Sequence, residues 1–272
     1  DMWGKKVHKV QVENKTPKGY NYIGWNLRHP IFKDKRVRKA MYHLVNRPLM
    51  IEKFEHGVSV PAAGPVYPQS PYLNKSIKPI EYDPKLALKI LKDAGWEDTD
   101  GDSLLDKMID GKRTKLSFSI LEPWEGFVKY LTIFKEDAKK VGVEITINQL
   151  EWNSFMKLVD ERKFEAIRMA WSAAVDWDPK QIWHSTSMKS GSNFVGLNIP
   201  EMDKLIDEAR LIHDRDERIK VLNKVQKMIV DEYPYVWFTY KKPSFYAHTS
   251  RIIKTKDTYN YSIGNVFWKI KD

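Results

Sequence analysis

The chain has 272 residues, 42% of them hydrophobic and 30% charged, which is typical of a globular protein of one large or two small domains. No stretch approaches the ~20 apolar residues of a membrane-spanning helix, and the lack of cysteine excludes disulfides, thiolate metal sites and cysteine nucleophiles. The net charge of +10 raises the question of nucleic acid, but basic residues alternate with acids, so no nucleic-acid partner is expected.

The amino-terminal part of the chain is predicted to contain two strands and three helices. Alternating apolar residues predict the strands at 7–13 and 20–26. Helical spacing bounded by capping residues or prolines predicts the helices at 35–44, 48–54 and 85–93. Residues 60–84 carry six prolines, so we expect a long irregular segment there.

From residue 116 onward, strand and helix periods alternate. Strands are predicted at 116–121, 143–148 and 164–170, with helices at 127–140 and 153–161 between them. Two more helices at 201–212 and 215–232, a buried strand at 235–240 and a tail with short strands follow. The spacing predicts an α/β fold with right-handed crossovers and a partly parallel sheet.

Four tryptophans lie close together in the sequence, at Trp152, Trp171, Trp177 and Trp183. Rigid rings beside a few polar groups are typical of a pocket for an organic ligand, because they supply contact area at low entropic cost. Trp171 directly follows a predicted strand, where ligands of such sheets bind. The competing interpretation is that these rings fill the core.

An acidic loop places carboxylates at alternate positions and then once more, at Asp98, Asp100, Asp102 and Asp106. Such spacing lets oxygens converge on a hard cation such as Ca²⁺. Ser103 and Ile109, however, stand where an EF-hand-type loop needs glycine and a bidentate glutamate. The loop is therefore either a calcium candidate or a plain acidic turn.

Catalysis has no positive support in the sequence. The histidines show no metal spacing, and both the Gly-x-Ser-x-Gly elbow and the phosphate-binding glycine loop are absent. Acids near predicted strand ends could form a glycosidase pair, or could be helix caps and turn residues, at Glu122, Glu125, Glu151, Asp176 and Asp178. We expect no enzyme and no cofactor, with a carbohydrate-active hydrolase as the alternative of a different class.

Several segments resemble the family-5 solute-binding proteins of ABC transporters, a group of oligopeptide, dipeptide and nickel binders. They are YIGWN at 22–26, PIFKDKRVRKA at 30–40, YDP at 82–84, AGW at 94–96, and the stretch from Trp152 through Trp171 to Pro179. The resemblance covers residues 20 to about 240, and the F-x-D-x-R-V-R-x-A run is its most specific part. Family members are about twice as long, so this chain is expected to be a carboxy-terminal portion with half of the binding cleft missing.

The resemblance implies a lobe of the type II periplasmic binding protein kind, with a mixed, partly parallel sheet flanked by helices. Residues 1–20 are expected to be a strand segment of the first lobe, residues 21–240 the second lobe, and residues 241–272 strands that return to the first lobe. The implied function is to capture short peptides and deliver them to a permease, as a monomer. The implied location is periplasmic, or extracellular and membrane-anchored. A nickel or nickel-chelate binder is the alternative within the family.

The resemblance also implies a ligand-binding site at Trp152, Arg168, Trp171, Ser172 and Asp176. The two tryptophans match pocket residues, and Arg168 matches an arginine that meets the peptide carboxylate in some members. Members usually carry an aspartate that holds the peptide amino terminus four residues before the proline of the Asp-Pro pair. Val175 stands there instead and Asp176 follows, so the amine anchor is either displaced to Asp176 or absent.

Overall fold

The computed structural model describes residues 2–241 and 244–271. Its helices are α1 (Pro30–Lys33), α2 (Lys35–His43), α3 (Arg47–Phe54), α4 (Pro84–Asp93), α5 (Glu125–Lys139), α6 (Trp152–Asp160), α7 (Lys180–Trp183), α8 (Ser187–Ser190), α9 (Pro200–Leu211) and α10 (Arg215–Asp231). In these ranges, no helix has both the length and the apolar character needed to cross a bilayer.

The strands are β1 (Val7–Val12), β2 (Tyr20–Trp25), β3 (Ser59–Pro61), β4 (Asp106–Ile109), β5 (Lys112–Lys115), β6 (Ser117–Glu122), β7 (Glu144–Gln149), β8 (Ala166–Trp171), β9 (Tyr235–Trp237), β10 (Thr239–Lys241), β11 (Ser244–Thr249), β12 (Ile252–Ile253) and β13 (Lys269–Ile270). Five of them form a central sheet in the order β7-β6-β8-β2-β9. β6 is parallel to β7 and β8, whereas β2 is antiparallel to β8 and β9.

The predicted α/β class with a mixed, partly parallel sheet flanked by helices is confirmed. Helix α5 connects β6 to β7, and α6 connects β7 to β8, as the alternating periods indicate. β2 lies between two antiparallel neighbours, and five of its six residues are buried. The parallel strands end at the same edge of the sheet, so the residues that follow β6 and β8 lie close to one another.

The predicted strand at 235–240 is divided in the structure. β9 pairs with β2 in the central sheet, whereas β10 pairs with β3 in a separate two-stranded ladder. Phe238 joins them: its N–H donates to the Asn21 carbonyl at 3.1 Å, and its carbonyl accepts from the Ala62 N–H at 3.1 Å. The chain changes partners at this residue, so local apolar character alone could not reveal the break.

The sequence did not predict the β4–β5 hairpin or the short elements β3, α1 and α8. The hairpin turn contains Asp110 and Gly111, with φ of 48° and 79°. An Asp-Gly pair between two strands is a strong hairpin signal, because both turn residues need positive φ. The signal was therefore present in the sequence.

The two ends of the chain pair with each other outside the central sheet. β1 is antiparallel to β11, with Val12 opposite Ser244, and β12 pairs with β13. The expected assignment of these end segments to a first lobe stays a prediction. Residues 1, 242, 243 and 272, which fall in those segments, lie outside the described residues.

Replacing Ser103 with glycine should stabilise the protein. Ser103 has a φ of 71°, a left-handed conformation that costs an L-residue about 1–2 kcal/mol, whereas glycine adopts it readily. After allowing for the larger backbone entropy of glycine in the unfolded chain, we expect Ser103→Gly to raise the free energy of unfolding by about 0.5–1 kcal/mol. Urea unfolding followed by circular dichroism measures this change.

The matched control for this experiment is Ser154→Gly. Ser154 is exposed in α6, where glycine should lower the free energy of unfolding by about 0.5 kcal/mol. If Ser103→Gly lowered the free energy of unfolding as much as Ser154→Gly does, the explanation from the backbone conformation of Ser103 would be contradicted.

Candidate functional site

A cavity of about 570 Å³ opens at the carboxyl end of β8. One wall is the segment that follows this strand and includes Trp171, Ser172 and Asp176. Another wall comes from residues 65–70 of the proline-rich segment, and the first residues of α7 also line the space. The cavity therefore lies where ligands of sheets with parallel strands bind.

Trp171 is fixed in a series of nearly parallel rings. Its ring centroid lies 5.9 Å from that of Phe194 and 6.3 Å from that of Tyr22, which in turn stacks on Tyr235 at 3.8 Å. The indole Nε1 of Trp171 donates to the Tyr235 hydroxyl at 3.3 Å. Burial raises the pKa of Tyr235 to about 12, so this hydroxyl stays neutral at physiological pH. The indole is thus positioned before any ligand arrives, which lowers the entropic cost of binding.

Gly19 lets the chain before β2 pass close to the backbone of Trp171, because it has no Cβ. A Cβ at position 19 would lie 2.5 Å from the Trp171 carbonyl oxygen, which is closer than van der Waals contact allows. The next residue, Tyr20, is directly opposite Trp171 in the β2–β8 ladder and also lines the cavity. The start of β2 and the end of β8 therefore form one continuous part of the cavity wall.

Arg168 is fully buried and forms an ion pair with Glu122, which is also fully buried. The Nε of Arg168 donates to Glu122 Oε2 at 2.6 Å, and Nη2 donates to Oε1. The rings of Trp124 and Phe127 each lie 4.4 Å from the guanidinium carbon. A peptide-carboxylate contact for Arg168 stays a prediction, while the structure gives this residue a definite role in holding β8 to β6.

Trp152 is outside the cavity around Trp171. Its ring stacks on Trp124 with centroids 5.8 Å apart, and the two side chains remain 42% and 45% exposed, respectively. Trp152 opens α6 and Trp124 follows β6, so both lie at the carboxyl edge of the sheet. The predicted site is thus divided into a cavity at Trp171 and an open aromatic pair. Trp124 is not among the predicted site residues, although its place two residues after the end of β6 is a signal of the same kind.

Asp176 lines the cavity, but its carboxylate already has partners. Its Oδ1 accepts a hydrogen bond from the Tyr72 hydroxyl at 2.7 Å and lies 3.8 Å and 3.9 Å from Arg215 and Arg218, respectively. Arg218 also donates to the Tyr72 hydroxyl at 2.8 Å. A ligand ammonium at Asp176 would have to compete with two guanidinium groups. The role of amine anchor stays a prediction.

The other two tryptophans differ in their surroundings. Trp183 is fully buried and packs against Tyr235 and Trp237, with ring centroids 4.7 Å and 6.3 Å away. Trp177 is partly buried, packs against the core and lines the cavity. The core-filling interpretation therefore holds for Trp183, whereas Trp177 belongs to both the core and the cavity wall.

The acidic loop gathers three of the four calcium candidates. Ligand oxygens of Asp98, Asp100 and Asp102 lie within 4.8 Å of one another on the surface. Asp106 is buried instead, where it accepts hydrogen bonds from Thr99 and Arg113, and it is not part of this group of three. Asp106 begins β4 opposite Lys115 of β5, and its carboxylate accepts from both the N–H and the hydroxyl of Thr99. Lys115 forms ion pairs with Asp100 and Asp102, so a cation would compete with its ammonium group.

Two more of the acids weighed as a glycosidase pair, Glu151 and Asp178, have structural partners. Glu151 caps α6 by accepting from the N–H groups of Asn153 and Ser154 at 2.8 Å and 3.3 Å. Asp178 accepts from the Lys180 N–H at 3.0 Å and lies 3.5 Å from Arg210. The interpretation of these two residues as cap and turn residues is confirmed.

Comparison with known proteins places these features in a family. Residues 4–193 match the model of the middle region of bacterial extracellular solute-binding proteins, family 5. The chain is 32% identical over 242 residues to the oligopeptide-binding protein AppA of Bacillus subtilis, a match that covers 87% of this chain and 44% of AppA. It is 27% identical to the nickel-binding periplasmic protein of Escherichia coli, with 75% of this chain and 39% of that protein covered.

The solved structure of Bacillus subtilis AppA in complex with a nonapeptide has the same fold. It superimposes with a TM-score of 0.83 at 29% identity, over 98% of this chain and 53% of AppA. The chain therefore spans about half the length of the relatives that it matches.

Removing one partner of the buried ion pair should be strongly destabilising. Arg168→Met leaves the Glu122 carboxylate buried without its cation, and we expect a loss of about 3–5 kcal/mol in the free energy of unfolding. The double variant Arg168→Met/Glu122→Gln removes the buried charge and keeps an acceptor for the Trp124 N–H, so it should recover more than half of that loss.

Guanidinium unfolding measures both variants of the buried pair. The control is Lys89→Met, which breaks the exposed pair with Asp93 and should change the free energy of unfolding by less than about 0.5 kcal/mol. A loss of similar size in the control and in Arg168→Met would show that the buried pair has no special role.

Proposed function

The chain belongs to family 5 of the bacterial extracellular solute-binding proteins and has the type II periplasmic binding protein fold, and from this premise we propose that it is the second lobe of a peptide-binding component of an ABC importer. The observation that carries the proposal is the cavity at the end of β8, with Trp171 fixed in its wall. Its relative AppA is an oligopeptide-binding protein whose structure contains a nonapeptide.

The chemistry of the cavity favours a peptide over a metal ion. Its described lining residues are mostly aromatic, aliphatic or small, with Ser70, Ser172 and Gln181 as neutral polar groups and two aspartates as the charged ones. None of these lining residues is a histidine, the ligand that suits nickel. The carboxylates of Asp176 and Asp178 both have arginine neighbours. Apolar walls with few polar groups suit the side chains and backbone of an extended peptide.

Nickel or a nickel chelate is the second candidate. One relative is the nickel-binding periplasmic protein of Escherichia coli, at 27% identity. A chelate could be recognised by its organic part through the same aromatic wall, without a protein ligand to the metal. The choice between the two candidates therefore rests on a binding experiment with both ligands.

The exposed apolar surface supports a second, missing lobe. Of the thirteen large hydrophobic side chains exposed in the described ranges, eight lie within residues 2–3 and 245–270. Monomeric proteins rarely expose such concentrated apolar surface. We propose that the first lobe covers it, that residues 1–20 and 241–272 belong to that lobe, and that residues 21–240 form the second lobe.

The same proposal implies a location and a partner. A solute-binding protein of this kind works outside the cytoplasmic membrane, in the periplasm or anchored to the outer surface of the cell. It passes its ligand to the permease of the transporter, and we propose that it does so as a monomer. The cavity at Trp171 would close around the ligand when the two lobes approach each other.

Peptide binding should require both lobes. We expect the 272-residue chain to bind di- to nonapeptides at least about 100-fold more weakly than a protein that also carries the first lobe, because half of the contacts and the closure are missing. Isothermal titration calorimetry of both proteins with the same peptide library measures the ratio. If the two-lobe protein binds the nickel–histidine complex but no peptide, the second candidate is favoured. If the two-lobe protein binds neither ligand, the proposal is overturned.

In the two-lobe protein, Trp171→Ala should weaken peptide binding by about 2 kcal/mol, or roughly 30-fold in Kd, because a fixed aromatic side chain in a pocket is typical of a binding hot spot. The control Met108→Ala removes an exposed apolar side chain on the β4–β5 hairpin and should leave Kd unchanged. Melting temperatures of both variants establish that they are folded. Unchanged affinity in the Trp171 variant would exclude this cavity as the peptide site.

A further inference from the structure

Two histidines from opposite ends of the chain are brought together by the pairing of β1 with β11. His8 is directly opposite His248 in the antiparallel register, and their ring centroids are 5.4 Å apart with 31° between the ring planes. Directly opposite residues of an antiparallel pair share one face of the sheet. Both histidines are partly buried on that face.

The separation of the two rings matches the geometry of a tetrahedral metal ion. Zinc binds imidazole nitrogen at about 2.0–2.1 Å, which places the ion about 3.2 Å from each ring centroid. At a tetrahedral angle, the two centroids would then be about 5.2 Å apart. The observed 5.4 Å is close to this value.

The hydrogen bonding of His248 leaves its other ring nitrogen available as a ligand. Its Nδ1 lies 2.9 Å from the carbonyl oxygen of Thr249. A carbonyl oxygen only accepts, so Nδ1 carries the proton and Nε2 of the neutral ring carries the lone pair. An imidazole held by a backbone carbonyl in this way is typical of metal-ligating histidines.

The residues around the pair are compatible with a bound cation. Tyr246 and Trp268 pack beside His248, with ring centroids 6.2 Å and 6.4 Å away. Nearby, Lys254 donates a hydrogen bond to Asp257. The same bond from Lys254, at 2.5 Å, neutralises the lysine. The histidine pair therefore lies in a partly covered position beside these two rings.

We propose that His8 and His248 bind a divalent transition-metal ion such as Zn²⁺, with water completing the coordination. Imidazole is a preferred ligand of these ions, whereas Ca²⁺ and Mg²⁺ prefer oxygen. A bound ion would connect the first strand to a strand 240 residues later and would stabilise their pairing, because the site exists only when the two strands are paired. This inference is independent of the peptide-binding proposal.

The test is a titration of the 272-residue chain with Zn²⁺, followed by calorimetry and by melting temperature. We expect one ion per chain and a higher melting temperature, with His8→Asn and His248→Asn each weakening binding at least tenfold. The control His213→Asn changes an exposed histidine between α9 and α10 and should leave binding unchanged. Circular dichroism checks that each variant is folded.

Three results would overturn the proposal. The first is the absence of zinc binding to the unaltered chain. The second is zinc binding that is unchanged in both His8→Asn and His248→Asn. The third is zinc binding that is lost in Asp100→Asn, which would assign the ion to the acidic loop, where oxygen ligands gather. A parallel titration with Ca²⁺ separates the sites, because the histidine pair should not respond to it.

Discussion

The buried ion pair between Arg168 and Glu122 is the constraint on which the binding edge of the sheet depends. It joins β8 to its parallel neighbour β6, and a shift of one strand along the other would leave two charges buried without partners. Glu122 also accepts from the Trp124 N–H at 2.7 Å, and the Trp124 ring lies on the guanidinium of Arg168. The position of Trp124, and of Trp152 stacked on it, therefore follows from this one pair.

At this edge the charged side chains are paired with groups of the protein itself, and the surface that faces the cavity is mainly aromatic and apolar. Arg168 is neutralised by Glu122, and Asp176 has Tyr72 and two arginines around it. What faces the cavity is largely ring and methyl surface, with Trp171 packed against the rings of Tyr22 and Phe194. For the proposed peptide ligand, recognition by shape and apolar contact tolerates varied ligand side chains, because such contacts discriminate less sharply than buried charges do.

The sequence predicted the parts of the structure that depend on local periodicity. The alternation from β6 to β8 was recognised because each element has its own apolar period, and Trp171 was placed at a strand end for the same reason. The break at Phe238 depends on two separate partners, β2 and β3, so it has no local signal. The burial of Arg168 could not be predicted, because its partner lies 46 residues earlier in the chain. The same reason applies to Asp176, whose hydrogen-bond donor Tyr72 comes from 104 residues away.

The pairing of β1 with β11 has an architectural consequence. Val12 and Ser244 are opposite each other, so the chain leaves this short ladder and returns to it at adjacent positions. The two ends of the intervening segment therefore lie beside each other. A unit of this kind can be exchanged for another of similar span without moving the strands that flank it, and domain insertions are tolerated at such positions. Exchange of the segment that carries the Trp171 cavity would therefore leave the β1–β11 ladder in place.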